Sequence, residues 1–199
     1  MAQQNYWDTV AKTKVFSHPL DLPRFRALVD PSARILDYGC GYGRLCQELG
    51  TAGFTGVRGV DSSPRMIERA RAENPALTFD VLDGGLRFPR ASFDAVLLFS
   101  VLTCICDDAG QRRVVGEIDR VLRPDGIVYV SDILLQDDDR NRARYEQGVR
   151  AFGTYGVFEL EPGVAFRHLT RPWIDELLGG FERIELVELP VTTMNGNAA

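Results

Sequence analysis

One stretch constrains the fold more than any other: a short strand that runs straight into three alternating glycines. Ala33-Arg34-Ile35-Leu36-Asp37 is apolar and leads into Gly39-Cys40-Gly41-Tyr42-Gly43. A helix follows, with Leu45 and Leu49 four residues apart, and ends near Gly50 and Gly53. Strand and helix patterns alternate from there. Gly56–Asp61 reads as a second strand, Ser62 or Ser63 caps the next helix, and Pro64 sits in its first turn, where a missing N–H costs nothing. Met66, Ile67 and Ala70 mark that helix's buried side, and Asn74-Pro75 stops it. Leu77, Phe79 and Val81 belong to strand three. Phe93–Phe99 is almost wholly apolar, as the centre of a parallel sheet requires. Val114, Ile118, Val121 and Leu122 form a helical stripe, and residues 127–133 form strand five. The expectation is an α/β fold: a Rossmann-like, doubly wound, mostly parallel sheet with ligands at the carboxyl ends of its strands.

Composition narrows the function classes. With 199 residues, 45% hydrophobic and 26% charged, the chain reads as one domain with a full core. A formal charge of -5 argues against a dedicated nucleic-acid binder and suits a cationic ligand better than a polyanionic one. Residues 1–8 carry no basic and apolar secretory signal, and no apolar run approaches the ~20 residues that span a bilayer, so no membrane role is expected. Cys40, Cys46, Cys104 and Cys106 do not have the spacing of a zinc pair; thiols in a reducing cytoplasm, with no metal, are the expectation.

The glycines lie where a backbone can come close to a ligand. A dinucleotide fingerprint asks for a small residue at position 44, and Arg44 stands there; the P-loop lysine is absent too. The loop therefore cradles something other than a pyrophosphate. Asp61, at the end of strand two, is placed to accept hydrogen bonds from a ribose diol, which would also suit NAD, or else to cap the helix after it. Asp83 adds a third acceptor beside Asp37 and Asp61, unless it is only a turn residue before Gly84-Gly85. Three carboxylates around one crevice fit an ammonium or sulfonium better than a phosphate.

Taken in order, these segments resemble the class I S-adenosylmethionine-dependent methyltransferases. Residues 35–44 look like their first motif, Gly59-Val60-Asp61-Ser62-Ser63-Pro64 like the ribose-binding segment, and Leu82-Asp83-Gly84 with Ser92-Phe93-Asp94 like the adenine-contact region and fourth strand. Val121-Leu122-Arg123-Pro124-Asp125-Gly126 resembles the turn before strand five. The resemblance spans residues 33–133 and implies S-adenosyl-L-methionine as cofactor and S-adenosyl-L-homocysteine as product. It implies that Gly39, Cys40 and Gly41 approach the methionine part, with Asp37 near its amino group. Asp61, beside Ser62, would bridge the ribose hydroxyls, Met66 would flank the adenine, and Asp83 with Gly84 would read its edge. Phe99 and Ser100 would lie beneath the sulfonium. Tyr6-Trp7 resembles an aromatic pair that closes over the cofactor in small-molecule members; a packed helix start is the plainer reading, as core is for Met66.

The pieces outside the alternation carry the acceptor. Residues 1–30 read as a cap segment, 31–133 as the cofactor-binding core, 134–170 as a lid-like insertion after strand five, and 171–199 as a C-terminal helix and strand. Residues 137–150 look like a surface helix with charges four apart, a solvated face rather than a phosphate-binding patch. A hairpin around Glu161-Pro162-Gly163 puts Val164, Phe166 and His168 on one face. His168 is the candidate base or orienting group for the acceptor, against a surface histidine beside the Thr170 cap. Tyr155 is a second candidate, or packs the insertion together. His18-Pro19 is a weaker one. Residues 181–189 read as a strand, and the polar tail after it is unsuited to a further one, so either the chain is cut short or a sheet edge waits for a second copy, as in a homodimer. The expected activity is methyl transfer to a small molecule; the alternatives are a non-catalytic cofactor-binding subunit and an NAD-dependent oxidoreductase.

Overall fold

The computed structural model describes residues 2–190, with side chains from residue 5 onward. A parallel sheet in the order β3-β2-β1-β4-β5 is built from β1 (Arg34–Tyr38), β2 (Gly56–Asp61), β3 (Thr78–Val81), β4 (Phe93–Phe99) and β5 (Leu122–Ser131). Period-two alternation divides β4 between two cores. Ala95, Leu97 and Phe99 pack with α3 (Arg44–Thr51), α4 (Pro64–Glu73) and Phe25 of α2 (Leu22–Leu28). Val96 and Leu98 pack with α5 (Asp108–Val121) and α7 (Arg171–Leu177). Burial on both faces is why the strand has so few polar residues. Each fully buried leucine contributes about 1.5–3 kcal/mol.

Caps place the helices. Ser63 Oγ accepts from the Met66 N–H at 3.1 Å, and Thr170 Oγ1 from the Trp173 N–H at 3.2 Å. Asp107 and Asp138 do the same for α5 and for α6 (Asp139–Phe152). The start of α3 has no side-chain cap.

A second body lies outside the sheet. There α6 packs on the hairpin of β6 (Val157–Glu161) and β7 (Val164–Arg167), and α1 (Ala2–Val10) joins them in a cluster of Tyr6, Tyr145, Phe158, Val164 and Phe166. Gly148 makes the fit close: a Cβ there would stand 1.6 Å from the Val157 carbonyl oxygen. Asp8 ties α1 back to the sheet side, accepting from Ser63 Oγ at 2.5 Å and from the Arg65 N–H at 3.1 Å.

Two elements differ from expectation. β5 begins at Leu122, which pairs with Phe93; the chain then bulges through residues 123–126, with Asp125 at φ 60°, before Ile127 pairs with Ala95. The strand expected over 181–189 is absent among the described residues. That segment has no ladder partner, and Ile184, Leu186, Val187 and Leu189 are more than half exposed. The tail expected to lack a last strand, 191–199, lies outside the described residues.

Candidate active site

β1 and β4 are neighbours whose crossovers run to opposite sides of the sheet, and a crevice opens at their carboxyl ends. It is a cavity of about 690 Å³, a size suited to small-molecule ligands. The glycine loop forms one wall. Gly41 has φ 55°, and a Cβ there would meet the Phe16 ring at 2.3 Å; a Cβ on Gly39 would meet Val101 at 2.4 Å. Only glycine leaves this surface open.

Asp61 Oδ2 accepts from the Gly41 N–H at 2.9 Å and Oδ1 from the Ser63 N–H at 2.8 Å. Ser63, not Asp61, caps α4. The Asp61 carboxylate instead clasps the glycine loop to the end of β2, and burial pushes its pKa up against those two hydrogen bonds. Asp37 is 1% exposed. Its nearest donor is the Cys46 thiol at 3.3 Å, and burial pushes its pKa up to about 7 despite that bond and the Arg44 charge.

Cys40, Ser62, Met66, Phe99 and Ser100 also line the cavity, together with Trp7. Ser100 is held at φ 53°, unusual for a residue with a side chain, by its N–H bond to the Ser131 carbonyl at 2.8 Å. Its Oγ lies 2.8 Å from His18 Nδ1. His18 is buried, and burial with the nearby Arg44 lowers its pKa, so it is neutral. In sequence His18 stands in a His-Pro loop with no periodicity to place it. Arg44 supplies the missing link: its guanidinium donates to the His18 carbonyl and holds residues 16–18 over the glycine loop.

Other expected site residues stand elsewhere. Asp83 is exposed beside Arg87 at 3.5 Å, and neither it nor Gly84 lines the cavity, which ends on this side at Leu82. The chain turns outward after β3, so of Asp37, Asp61 and Asp83 only the first two line the crevice. Tyr6 is buried behind Trp7, edge to face at 4.9 Å. Tyr155 is 45% exposed and rests its ring on Tyr145, outside the cavity.

His168 does line the cavity, with Phe166 beside it. It is 5% exposed and lies 2.6 Å from the Tyr145 hydroxyl. Burial, then Arg144 and Arg140, lower its pKa to about 3. A ring held neutral in this way is a poor proton acceptor at neutral pH. Asp132, a further carboxylate at a strand end, accepts from the Ile133 N–H at 2.9 Å and the Thr103 N–H at 3.2 Å, and so pins the turn after β4 to the end of β5. Its position at the end of an apolar strand, like that of Asp37 and Asp61, was the available signal.

Comparison with known proteins agrees with this geometry. Residues 36–130 match the family profile described as "Methyltransferase domain". Mouse EEF1A lysine methyltransferase 4 is 33% identical over 150 residues, covering 62% of this chain and 58% of that protein. The ubiquinone biosynthesis O-methyltransferase of Methylocella silvestris is 38% identical over 119 residues, covering 56% and 45%. The chain thus spans about half the length of these curated relatives. A solved S-adenosylmethionine-dependent methyltransferase from Methanosarcina mazei superposes with a TM-score of 0.84 at 26% identity, covering 90% of this chain and 94% of that one. Sheet order, glycine crevice and these likenesses converge: over residues 36–130 the chain carries a methyltransferase domain, in the fold of the solved S-adenosylmethionine-dependent enzyme.

Proposed function

We propose that the chain transfers a methyl group from S-adenosyl-L-methionine to an N, O, S or C nucleophile of a small molecule by in-line displacement. The observation that carries this is the continuity of one cavity, from the glycine loop and Asp61 to the inner face of α6 and the hairpin. The surfaces fit the cofactor. Gly39 and Gly41 leave open a wall that a Cβ would fill, and the buried Asp37 carboxyl accepts from the Cys46 thiol, a weak donor, where an ammonium would be welcome.

When bound, the cofactor supplies an already activated methyl group. The protein's work is to bind, orient and exclude water. In this reading Gly39, Cys40 and Gly41 hold the methionine part, Asp37 its ammonium, and Asp61 with Ser62 the ribose. Met66 flanks the adenine, and Phe99 and Ser100 underlie the sulfonium. Asp83 and Gly84 would form the outer rim beyond Leu82, and Tyr6 would act by backing Trp7. His168, held neutral, would orient the acceptor rather than take its proton; Tyr155, outside the cavity, is given no part. Residues 134–170 would form the cover over the acceptor, in a cytoplasmic enzyme.

Isothermal titration should give saturable binding of S-adenosyl-L-methionine and S-adenosyl-L-homocysteine and none of NAD; the reverse preference would sink the proposal. Homocysteine-product formation should then appear on a panel of small acceptors. Product formed only on protein lysines would overturn the small-molecule part, and tight cofactor binding with no product on either class would mark a non-catalytic subunit.

A further inference from the structure

The inner face of α6 holds polar groups that the fold leaves unanswered. Arg144 is half-buried, its Nε is buried without a hydrogen-bond partner, and its guanidinium lies 3.5 Å from the centre of the Phe158 ring. Other arginines of the same helix do find carboxylates: Arg142 pairs with Asp139 at 2.7 Å and Arg140 with Asp138 at 3.8 Å. Among the described residues Arg144 has no such partner.

Hydrogen-bond bookkeeping around His168 sharpens the picture. The Tyr145 hydroxyl accepts from the Gln136 N–H at 3.2 Å and lies 2.6 Å from His168 Nδ1. Arg144 Nη2, which can only donate, lies 3.4 Å from His168 Nε2, a long contact that leaves most of the guanidinium's donors for a ligand. Next to them, the Asn141 side-chain nitrogen donates to Asp138, which turns Oδ1 the other way. Asn141 Oδ1 is buried and accepts nothing from the described residues. Arg144, His168 and Asn141 all line the same cavity as the glycine loop, among the apolar walls of Phe158, Phe166 and Ile105.

We propose that this corner anchors the methyl acceptor through a carboxylate held by the Arg144 guanidinium, with an N–H or O–H of the same molecule on Asn141 Oδ1. The inference rests on the methyltransferase reading above and names its substrate class: a small carboxylic acid with an apolar or aromatic body. A single unpaired guanidinium balances a monoanion. Glu161, which also lines the cavity, would repel the second charge of a phosphate.

The test uses the protein saturated with S-adenosyl-L-homocysteine and the probes benzoate, phenylacetate, benzamide and benzylamine, read by titration calorimetry and by Trp7 emission. The carboxylates are expected to bind about tenfold or more tighter than the amide or the amine. Arg144→Gln is expected to erase that preference while the S-adenosyl-L-homocysteine affinity stays within about twofold, which also shows the variant is folded. Arg144→Lys, keeping a charge but losing the planar fork, is expected to retain part of the preference. Equal binding of benzamide or benzylamine, no saturable carboxylate binding at millimolar concentrations, or an unchanged preference in Arg144→Gln overturns the proposal. So does weaker S-adenosyl-L-homocysteine binding in both variants, which would assign the corner to the cofactor's own carboxylate. If the wild-type chain binds no S-adenosyl-L-homocysteine, it is the methyltransferase reading that fails.

Discussion

Asp37 and Asp61 sit a few ångströms from the same glycines, yet their surroundings ask different things of them. Asp61 is met by two backbone donors, whereas Asp37 has a thiol and a nearby arginine, and burial raises its pKa to about 7. In the fold Asp37 therefore keeps a proton that the unfolded chain loses near pH 4. Its contribution to stability is fully present below that pH and is lost as pH rises through about 7. The neutral histidines His18 and His168 push the other way at acid pH, so the clean measurement is a difference. The melting temperature of Asp37→Asn minus that of the wild type should rise from about pH 5 to about pH 8 without ligand; a flat difference would show the carboxyl ionised in both states. Asp61→Ala should weaken S-adenosyl-L-homocysteine binding by about 1–3 kcal/mol by calorimetry, and an unchanged affinity would confine Asp61 to clasping the loop. Both residues were legible in the sequence because each follows an apolar strand at once. Asp83 was less so: Leu82 turns in and Asp83 turns out, a choice made by the loop's path rather than by residue type.

At the scale of elements, the sheet and its crossovers follow from short apolar runs, caps and stops that need only local reading. α6 does not. Its charges predict a solvated helix with pairs four apart, but the pairs that form are Arg142 with Asp139, three apart, and Arg140 with Asp138, two apart. The inner side carries Asn141, Arg144, Tyr145 and Gly148 toward the cavity and the hairpin. Nothing in a charge period reveals that Tyr145 will be fully buried; it takes the hairpin's aromatics to bury it. Gly148 is the test of that packing. Gly148→Ala drives a methyl into the Val157 carbonyl and should cost about 1–3 kcal/mol. Hydrogen exchange should speed up in α6 and the hairpin while β1 and β4 stay protected; uniform protection would mean that the two elements absorb the methyl by shifting together.

Over the whole molecule, α1 is the tie between the sheet and the body that faces it. Asp8 reaches the start of α4, while Tyr6 and Trp7 meet Phe166 on β7 at ring-centre distances of 6.2 and 6.1 Å. Asp8→Ala removes the two bonds accepted at α4 and should cost about 1–2 kcal/mol. Trp7 emission should shift to longer wavelength with the far-ultraviolet spectrum unchanged; unaltered emission would show that the aromatic contacts alone seat the helix.

That tie spans great distances along the chain, since α1 binds partners 55 residues and more downstream. Contacts between distant residues form late, after the loops joining them have closed. On the ribosome α1 emerges long before β7 exists, so it waits without its second partner while the sheet assembles behind it. The crevice is thus completed by an early-made segment that docks at the end, and throughout synthesis its apolar walls stand open to water.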